Sequence, residues 1–298
     1  MTPMRTATFE DFIAPARRRP ELWRLFAGLV LIGAVYAAWI GGMAVALGLA
    51  ARRMEEVPRL DADAIAANPF AVLLLLFSFA GLLVGVALAV RLLHRRSVAT
   101  LVGPLRVALR DFAFGAAVVA VVGAVGLLLW QGRADLEPGV APGLWLMLLP
   151  LALLGLLMQT GAEELVFRGY MQQQLAARFR SALIWMVLPS LAFGMLHYNP
   201  AQMGGNAGLI VVATAFFGLI AADLTARSGS LGLAWGLHFA NNILALLVVS
   251  AGTGMEGLAL YRLPEGADTA ARLRPLILFD MGLMAVFWGV CRLWLRGR

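Results

Sequence analysis

Lysine is absent from this 298-residue chain, and charged side chains of any kind are scarce. Only 14% of the residues are charged and 61% are hydrophobic, whereas about a quarter of the residues in a soluble domain are charged. This composition excludes a soluble globular domain and predicts a polytopic membrane protein. The net charge of +7 comes from arginine alone. In a membrane protein such an excess is a topology signal, and we expect no nucleic-acid partner.

Cysteine and several protease signatures are also missing. Cysteine occurs once, as Cys291, which excludes an internal disulfide framework and leaves a small apolar residue in the last helix as the expected role. The chain has no HExxH, which excludes a site-2 type of zinc protease. It has no GxSG of a rhomboid type and no GxGD of a presenilin type. Any chemistry must therefore come from other polar residues within the apolar segments.

Apolar segments dominate what is present. A helix needs about 20 mostly apolar residues to span a bilayer. Eight segments qualify, roughly at 22–50, 69–93, 111–130, 144–176, 182–199, 206–226, 230–250 and 275–296. The chain shows no internal repeat and no soluble insertion. We therefore predict an all-α fold, a polytopic membrane protein with about eight transmembrane helices.

Arginine is unevenly distributed over the connections between these segments. The N-terminus, the second, fourth and sixth connections and the C-terminal tail are rich in arginine. The intervening connections hold fewer arginines or offset them with acids. Because cytoplasmic connections carry such an excess, we predict a multi-pass protein of the cell membrane with both termini in the cytoplasm.

Two adjacent glutamates, Glu163 and Glu164, follow a long apolar run. Ionised carboxylates at membrane depth cost on the order of a few kcal/mol each, so they need a partner or a task. Residues four apart share a helix face, which pairs Glu164 with Arg168 and leaves Glu163 pointing elsewhere. Glu163 is then suited to act as a general base. The alternative of a purely structural role, in which both glutamates are buried against Arg168, stays open. It is the stronger alternative for Glu164.

The fourth apolar run is too long for the hydrocarbon core. From Leu144 to about Ala176 it measures roughly 50 Å at 1.5 Å per residue, so its polar end is expected to project into the cytosol. The turn is expected near Arg180. Glu163 lies 17 residues before Arg180 and His197 lies 17 after it. An antiparallel helix pair would place Glu163 and His197 at similar depth.

Two of the three histidines, His197 and His238, lie in apolar segments. Helical spacing puts Phe193 on the face of His197, and Asn242 on the face of His238. A histidine and an amide at that spacing offer two donors toward one point, as a developing oxyanion needs. Asn241 is rotated away from Asn242 by about 100°. A single buried histidine more often bonds between helices, but polar groups from three spans together predict a site.

The other ionisable residues are expected outside such a site. His94, in the sequence RLLHRR, is predicted to be a solvated interface residue. Asp223 and Asp280 are predicted near helix ends, in capping or interfacial positions.

Three short motifs now match a known family. Residues 163–168 fit EExxxR, residues 193–197 fit FxxxH, and residues 238–242 fit HxxxN. In this order, within consecutive apolar spans, they resemble the CPBP family of CAAX prenyl endopeptidases and bacteriocin-processing proteins, also called the Abi family. The resemblance covers roughly 145–250 and implies an eight-helix, all-α core.

The resemblance divides the chain into three parts. We expect an N-terminal cytoplasmic segment with three transmembrane helices at 1–142, and a CPBP/Abi-like catalytic core of helices four to seven at 143–250. An external loop and the final helix follow at 251–298.

The resemblance implies an intramembrane endopeptidase that faces the cytosol and cleaves a membrane-associated protein or peptide, including a prenylated or lipid-anchored one. Glu163 would activate a water that His197 also holds, and His238 with Asn242 would stabilise the oxyanion. The implied catalytic residues are Glu163, Glu164, His197, His238 and Asn242, with Arg168 and Phe193 as support.

Other interpretations stay open at this point. Glu163, His197 and His238 could hold a zinc ion with an open position, as in catalytic zinc sites, while a metal-free glutamate mechanism fits the same residues. A proton-coupled transporter could use the same groups as a relay, although such carriers often show paired repeats. A non-catalytic immunity or scaffold protein of the same fold is the third alternative. The expected partners are the bilayer and a membrane-associated substrate.

Overall fold

The structure is a computed structural model that describes residues 6–52, 66–130, 136–251, 254–263 and 269–297. Most of the first predicted connection, and parts of the third and seventh, lie outside these ranges. The charges expected in those stretches are features of the sequence alone.

Helices make up almost all of the described chain. They are α1 (Ala7–Ile13), α2 (Leu22–Ala51), α3 (Pro69–Ser78), α4 (Ala80–Leu92), α5 (Leu105–Trp130), α6 (Pro142–Glu164), α7 (Gln173–Arg178), α8 (Leu188–Met195), α9 (Pro200–Met203), α10 (Ala207–Ser228), α11 (Gly232–Ile243) and α12 (Thr269–Arg296). π-helical turns at Leu165–Gln172, Leu183–Val187 and Leu244–Val248 join or extend them, and short 3-10 turns lie at Ala14–Arg18, Val98–Leu101, Gly204–Asn206 and Glu256–Leu258.

The eight predicted apolar segments all form helices. Six are long enough to cross a membrane: Leu22–Ala51, Pro69–His94, Leu105–Gly126, Pro142–Arg178, Pro200–Ser228 and Leu273–Arg296. Two are shorter, Leu183–Met195 and Gly232–Val248. The all-α, polytopic membrane fold is therefore confirmed. The count of eight is approximate, because two segments fall short of a full span.

The two ends of the helix bundle differ. At one end, here called the terminal end, the hydroxyl of Thr6 donates to the carbonyl of Ala226, and Arg292 near the C-terminus pairs with Asp223. Both ends of the described chain therefore lie there. At the other, the sheet end, three two-residue strands pair: β1 (Glu137–Pro138) antiparallel to β3 (Tyr261–Arg262), and β2 (Val249–Ser250) parallel to β3.

The fourth span is continuous from Pro142 to Arg178, as its length predicted, but it is not a regular α-helix throughout. Immediately after Glu164 the backbone becomes π-helical over Leu165–Gln172. π-helical turns occur frequently at functional sites, because the extra residue per turn re-aims the neighbouring side chains. The EExxxR motif thus straddles a change of helical pitch.

Glycines let α11 approach α5 closely. A Cβ on Gly232 would lie 2.2 Å from the carbonyl oxygen of Ala108, and one on Gly236 would lie 2.2 Å from that of Phe112. The spacing Gly232-x-x-x-Gly236 is the small-residue pattern that allows backbones to pack in membranes. This contact sets the position of α11, which carries His238 two residues after Gly236.

Three acid and base residues outside the motifs have contacts or positions that the sequence analysis did not predict. His94 is only 3% exposed, because Tyr170 and Gln174 cover it, with Nε2 2.8 Å from the Tyr170 hydroxyl. The prediction of a solvated residue was wrong. Asp223 does not cap a helix, since it binds Arg227, Arg292 and Trp288 and so ties α10 to α12. Asp280 lies inside α12, away from its ends. Cys291 is fully buried in α12, as expected.

Candidate active site

A cavity of about 500 Å³ lies among the helices, and its deep wall is polar. Five of the seven predicted site residues line it: Glu163, Phe193, His197, His238 and Asn242. The other two, Glu164 and Arg168, lie directly behind this wall, with side chains 0% and 2% exposed. The three motifs, which are up to 79 residues apart in the chain, therefore meet at one place.

Glu163 faces the cavity with one carboxylate oxygen. Its Oε1 accepts a hydrogen bond of 2.7 Å from Nε2 of Gln159, one helical turn earlier. Its Oε2 lies 3.5 Å from Nε2 of His238 and is buried, with no hydrogen-bond partner in the part of the chain that the structure describes. A buried carboxylate oxygen normally accepts a bond. Oε2 is thus an acceptor without a hydrogen bond among the described residues, beside Nε2 of His238 at the wall of the cavity.

Glu164 is fully buried and holds two partners through a single oxygen. Its Oε1 accepts from Nη1 of Arg168 at 3.0 Å, the pair that helical spacing predicted. The same oxygen lies 2.8 Å from Nδ1 of His238, a contact that spacing along one helix does not reveal. Since an ionised carboxylate can only accept, Nδ1 of His238 carries a proton. The Nε2 atom is left to face Glu163 and the cavity.

Aromatic rings enclose the guanidinium of Arg168. Its central carbon lies 4.7 Å from the ring centre of Phe193 and 5.6 Å from that of Phe217. A cation over the face of an aromatic ring is attracted by the ring quadrupole, more so where water is excluded. Phe193 therefore stabilises the cation that pairs with Glu164, which gives the first residue of FxxxH a physical role.

His197 lies beyond the end of α8, in a turn, and not inside a helix as the predicted span of 182–199 implied. Its Nδ1 is 2.9 Å from the backbone oxygen of Phe193, and the two rings are 4.8 Å apart. A carbonyl can only accept, so Nδ1 is the protonated nitrogen and Nε2 is free to face the cavity. The predicted neighbourhood of Phe193 and His197 is present.

Asn242 is linked to Glu163 through a side chain that the sequence analysis did not include. Its Nδ2 donates to Oε1 of Gln159 at 2.9 Å, and Gln159 in turn donates to Glu163. Asn241 was expected to face away from the site, but it lines the cavity as well, because the cavity wraps around more than one face of α11.

Comparison with known proteins agrees with this arrangement of motifs. Residues 143–244 match the family model described as type II CAAX prenyl endopeptidase Rce1-like. This matched part of the chain is called the Rce1-like domain for its similarity to that family. The chain is also similar to an uncharacterised protein, YyaK of Bacillus subtilis (strain 168), with 28% identity in an alignment of 296 residues that covers 95% of each chain. No solved structure matches the chain.

The Rce1-like domain contains the polar residues that surround Glu163 and His238, from Gln159 to Asn242. Helices outside it supply apolar parts of the cavity wall. They contribute Tyr36 from α2, Leu75 from α3, the neighbouring Phe79 and Met284 from α12. The division of the chain at 142 and 250 stays a prediction.

The donor types in the Rce1-like domain would suit zinc, since Glu163, His197 and His238 are common ligands. Within the described ranges, however, no group of three or more His, Cys, Asp or Glu side chains is arranged to hold a metal ion. The Nδ1 atoms of both histidines are bonded, to Phe193 and to Glu164, which leaves their Nε2 atoms as the available ring nitrogens.

Gln159 is the residue of the Rce1-like domain that sequence reasoning missed. The signal that could have found it is its position four residues before Glu163, one helical turn away, in an otherwise apolar run. The bond between Glu164 and His238 had no such signal, because it joins residues 74 positions apart.

Proposed function

We propose that the protein is an intramembrane endopeptidase that hydrolyses a peptide bond in a membrane-associated protein or peptide, with Glu163 as the general base. The observation that carries this proposal is Oε2 of Glu163, which has no hydrogen-bond partner among the described residues and lies 3.5 Å from Nε2 of His238 at the wall of the cavity. The match of this region to the Rce1-like family supports the same reaction class.

Water activation is assigned to Glu163 and His197. The bond from Gln159 holds Oε1 of Glu163 and leaves Oε2 without a hydrogen bond among the described residues. Oε2 removes a proton from a water molecule, while Nε2 of His197 binds the same water and orients it. The resulting hydroxide attacks the carbonyl carbon of the scissile peptide bond. Such positioned proton transfer contributes about 10²–10⁴-fold to a reaction rate.

Stabilisation of the oxyanion is assigned to His238 and Asn242. Asn242 uses one N–H to hold Gln159, and its second N–H can donate into the cavity. His238 can donate through Nε2 when its ring carries both protons, with Nδ1 held against the carboxylate of Glu164. The ion pair of Glu164 and Arg168 behind it lowers the cost of charge at membrane depth.

The intermediate then collapses. The bond between the carbonyl carbon and the peptide nitrogen breaks, and Glu163 returns its proton to the leaving amine. One water is consumed, a carboxylic acid and an amine are released, and the enzyme regains its initial state. Glu164, Arg168 and Phe193 take no part in bond making in this scheme and hold His238 in position.

A comparison of cellular membrane proteins with wild-type protein and with Glu163→Gln tests the proposal. We expect an intact substrate to accumulate in the variant and its fragments to be present only with wild type. Purified protein should then cleave that substrate in detergent, and the variant should not. If both proteins leave every membrane protein equally intact or equally cleaved, the chain is a non-catalytic member of the fold.

A further inference from the structure

The mouth of the cavity and the excess of arginine lie at opposite ends of the helix bundle, and this indicates from which side a substrate enters. We infer that the cavity opens on the non-cytoplasmic face of the membrane, so that the substrate is a polypeptide segment presented from that side. The inference about the substrate rests on the proposed endopeptidase function, whereas the orientation of the cavity does not.

The cavity extends from the catalytic residues toward the sheet end. Phe217 on α10 packs against the ring of His238, with ring centres 5.0 Å apart. The next cavity residues on α10, Thr214 and Ile210, lie progressively closer to its start, at the sheet end. On α11 the cavity residues after His238 and Asn242 are Ala245 and Leu246, which also lead toward the sheet end.

The mouth is formed by the connection between α8 and α10. Leu196, Asn199 and Gln202 line the cavity and are exposed to the surroundings, Leu196 by 75%. The amide of Gln202 also lies against Gly254, in the connection that follows β2. Both connections belong to the sheet end, so the mouth lies there.

The terminal end is closed by packed side chains. Large residues between the catalytic level and that end are fully buried in one continuous core, among them Phe9, Leu101, Tyr170, Trp185 and Leu231. Phe9 of α1 packs on the ring of Trp185 at 5.0 Å, so the N-terminal helix contributes to this closure.

Positive charge is concentrated at the terminal end, opposite the mouth of the cavity. Among the described residues, fourteen arginines lie in the segments that begin, end or connect helices at the terminal end, with only five acids. The described residues of the sheet-end segments hold four arginines and two acids. Burial lowers the pKa of Arg96 to about 10, so it is still a cation at neutral pH and belongs in the count.

The positive-inside rule then assigns the terminal end to the cytoplasm. Two predictions from the sequence, cytoplasmic termini and a site facing the cytosol, are incompatible in this structure, because the termini and the mouth lie at opposite ends. The charge asymmetry favours cytoplasmic termini over a site that faces the cytosol. A prenylated C-terminus that anchors a cytoplasmic protein would lie on the wrong face, whereas an exported or membrane-embedded segment would reach the mouth.

Cysteine labelling in membrane vesicles tests this orientation. The only native cysteine, Cys291, is fully buried, and Cys291→Ala provides a background without thiols. Single cysteines are placed at Ser97→Cys, exposed at the terminal end, and Ala201→Cys, exposed at the mouth. A third, Thr214→Cys, lies in the cavity wall. Right-side-out and inverted vesicles are treated with a small, membrane-impermeant anionic thiosulfonate, and the remaining thiols are counted by a mass-tagged maleimide.

We expect Ala201→Cys and Thr214→Cys to react in right-side-out vesicles and Ser97→Cys to react only in inverted ones. The reverse pattern would overturn the orientation. If Thr214→Cys reacts from the same side of the membrane as Ser97→Cys, or from neither side, the position assigned to the mouth is wrong. The same labelling with Glu163→Gln added should be unchanged. Labelling reports orientation without any cleavage, so its failure is distinct from a failure of the proposed function, which only the cleavage assay detects.

Discussion

The Nδ1 atom of His238 lies 2.8 Å from the carboxylate of Glu164, a residue 74 positions earlier in the chain. This bond joins the EExxxR and HxxxN motifs. It also separates the two adjacent glutamates by role, since Glu164 holds the ring from behind while Glu163 approaches its Nε2 atom from the cavity at 3.5 Å. Substitutions at the two glutamates should therefore differ in effect.

Glu163→Gln should abolish cleavage with little loss of stability. The amide cannot accept the proton of water, and a loss of about 10²–10⁴-fold is typical for a general base. Its carbonyl oxygen can still accept from Gln159, so the fold should be retained. Cleavage of the identified substrate and thermal unfolding in detergent measure the two effects. Glu137→Gln, on the exposed β1, is the matched control and should match wild type in both.

Glu164→Gln should mainly destabilise the protein. It leaves Arg168, 2% exposed, without its counter-charge, and breaking a buried ion pair typically costs about 3–5 kcal/mol. Thermal unfolding in detergent should show a much lower midpoint than for Glu163→Gln. The double variant Glu164→Gln with Arg168→Met should recover part of the loss, since no unpaired charge remains. Equal midpoints for the two single glutamine variants would contradict the assigned roles.

Gln159→Leu should lower kcat with a smaller effect on KM. The substitution removes the bonds to both Glu163 and Asn242 and keeps an apolar side chain in the helix. Misplacement of a catalytic group by about 1 Å can cost about 10²-fold in rate. Because Asn242 acts partly through Gln159, the double variant with Asn242→Ala should lose less than the product of the single losses. Independent, multiplying effects would argue against the link.

Gly236→Leu should destabilise the protein and reduce cleavage together. A side chain there meets the backbone of Phe112 and displaces α11 with its histidine, at a cost of about 1–3 kcal/mol or more. Gly33→Leu is the matched control, because a Cβ at this exposed position in α2 meets nothing within 4 Å. Unfolding and cleavage should be close to wild type for that variant. Similar losses for both substitutions would point to a general effect of leucine in a membrane helix.

Strong chelation should leave cleavage unchanged. The described residues do not present three metal-binding side chains in a suitable arrangement, and Glu163 has a free oxygen with which to take a proton directly. Elemental analysis of the purified, active protein should accordingly find no stoichiometric zinc. Loss of cleavage on chelation, with recovery on adding zinc back, would instead assign Glu163, His197 and His238 to a metal.

Much of the fold could be predicted because membranes restrict the choice of structure. Backbone groups in hydrocarbon must be bonded within the segment, so each long apolar run becomes a helix. The pair of Glu164 and Arg168 was predictable for a similar reason, since both residues lie on one helix with known spacing. Gln159 could have been found by the same rule, applied in the other direction from Glu163.

His94 and Asp223 show where such reasoning fails. Both were assigned from their position near a span end, and both are buried by residues distant in the chain, Tyr170 and Gln174 for His94, and Arg292 for Asp223. Position along one helix does not indicate which neighbouring helix covers a side chain.

The sequence alone determined the membrane class, the helical segments, the three motifs and the asymmetry of arginine, because each depends on residues close together in the chain or on composition. Only the tertiary structure decided that Glu164 holds His238, that Gln159 joins Asn242 to Glu163, and that the cavity opens away from the termini. These depend on contacts between helices distant in sequence, set by close approaches such as that of Gly236 to Phe112, which no local pattern specifies.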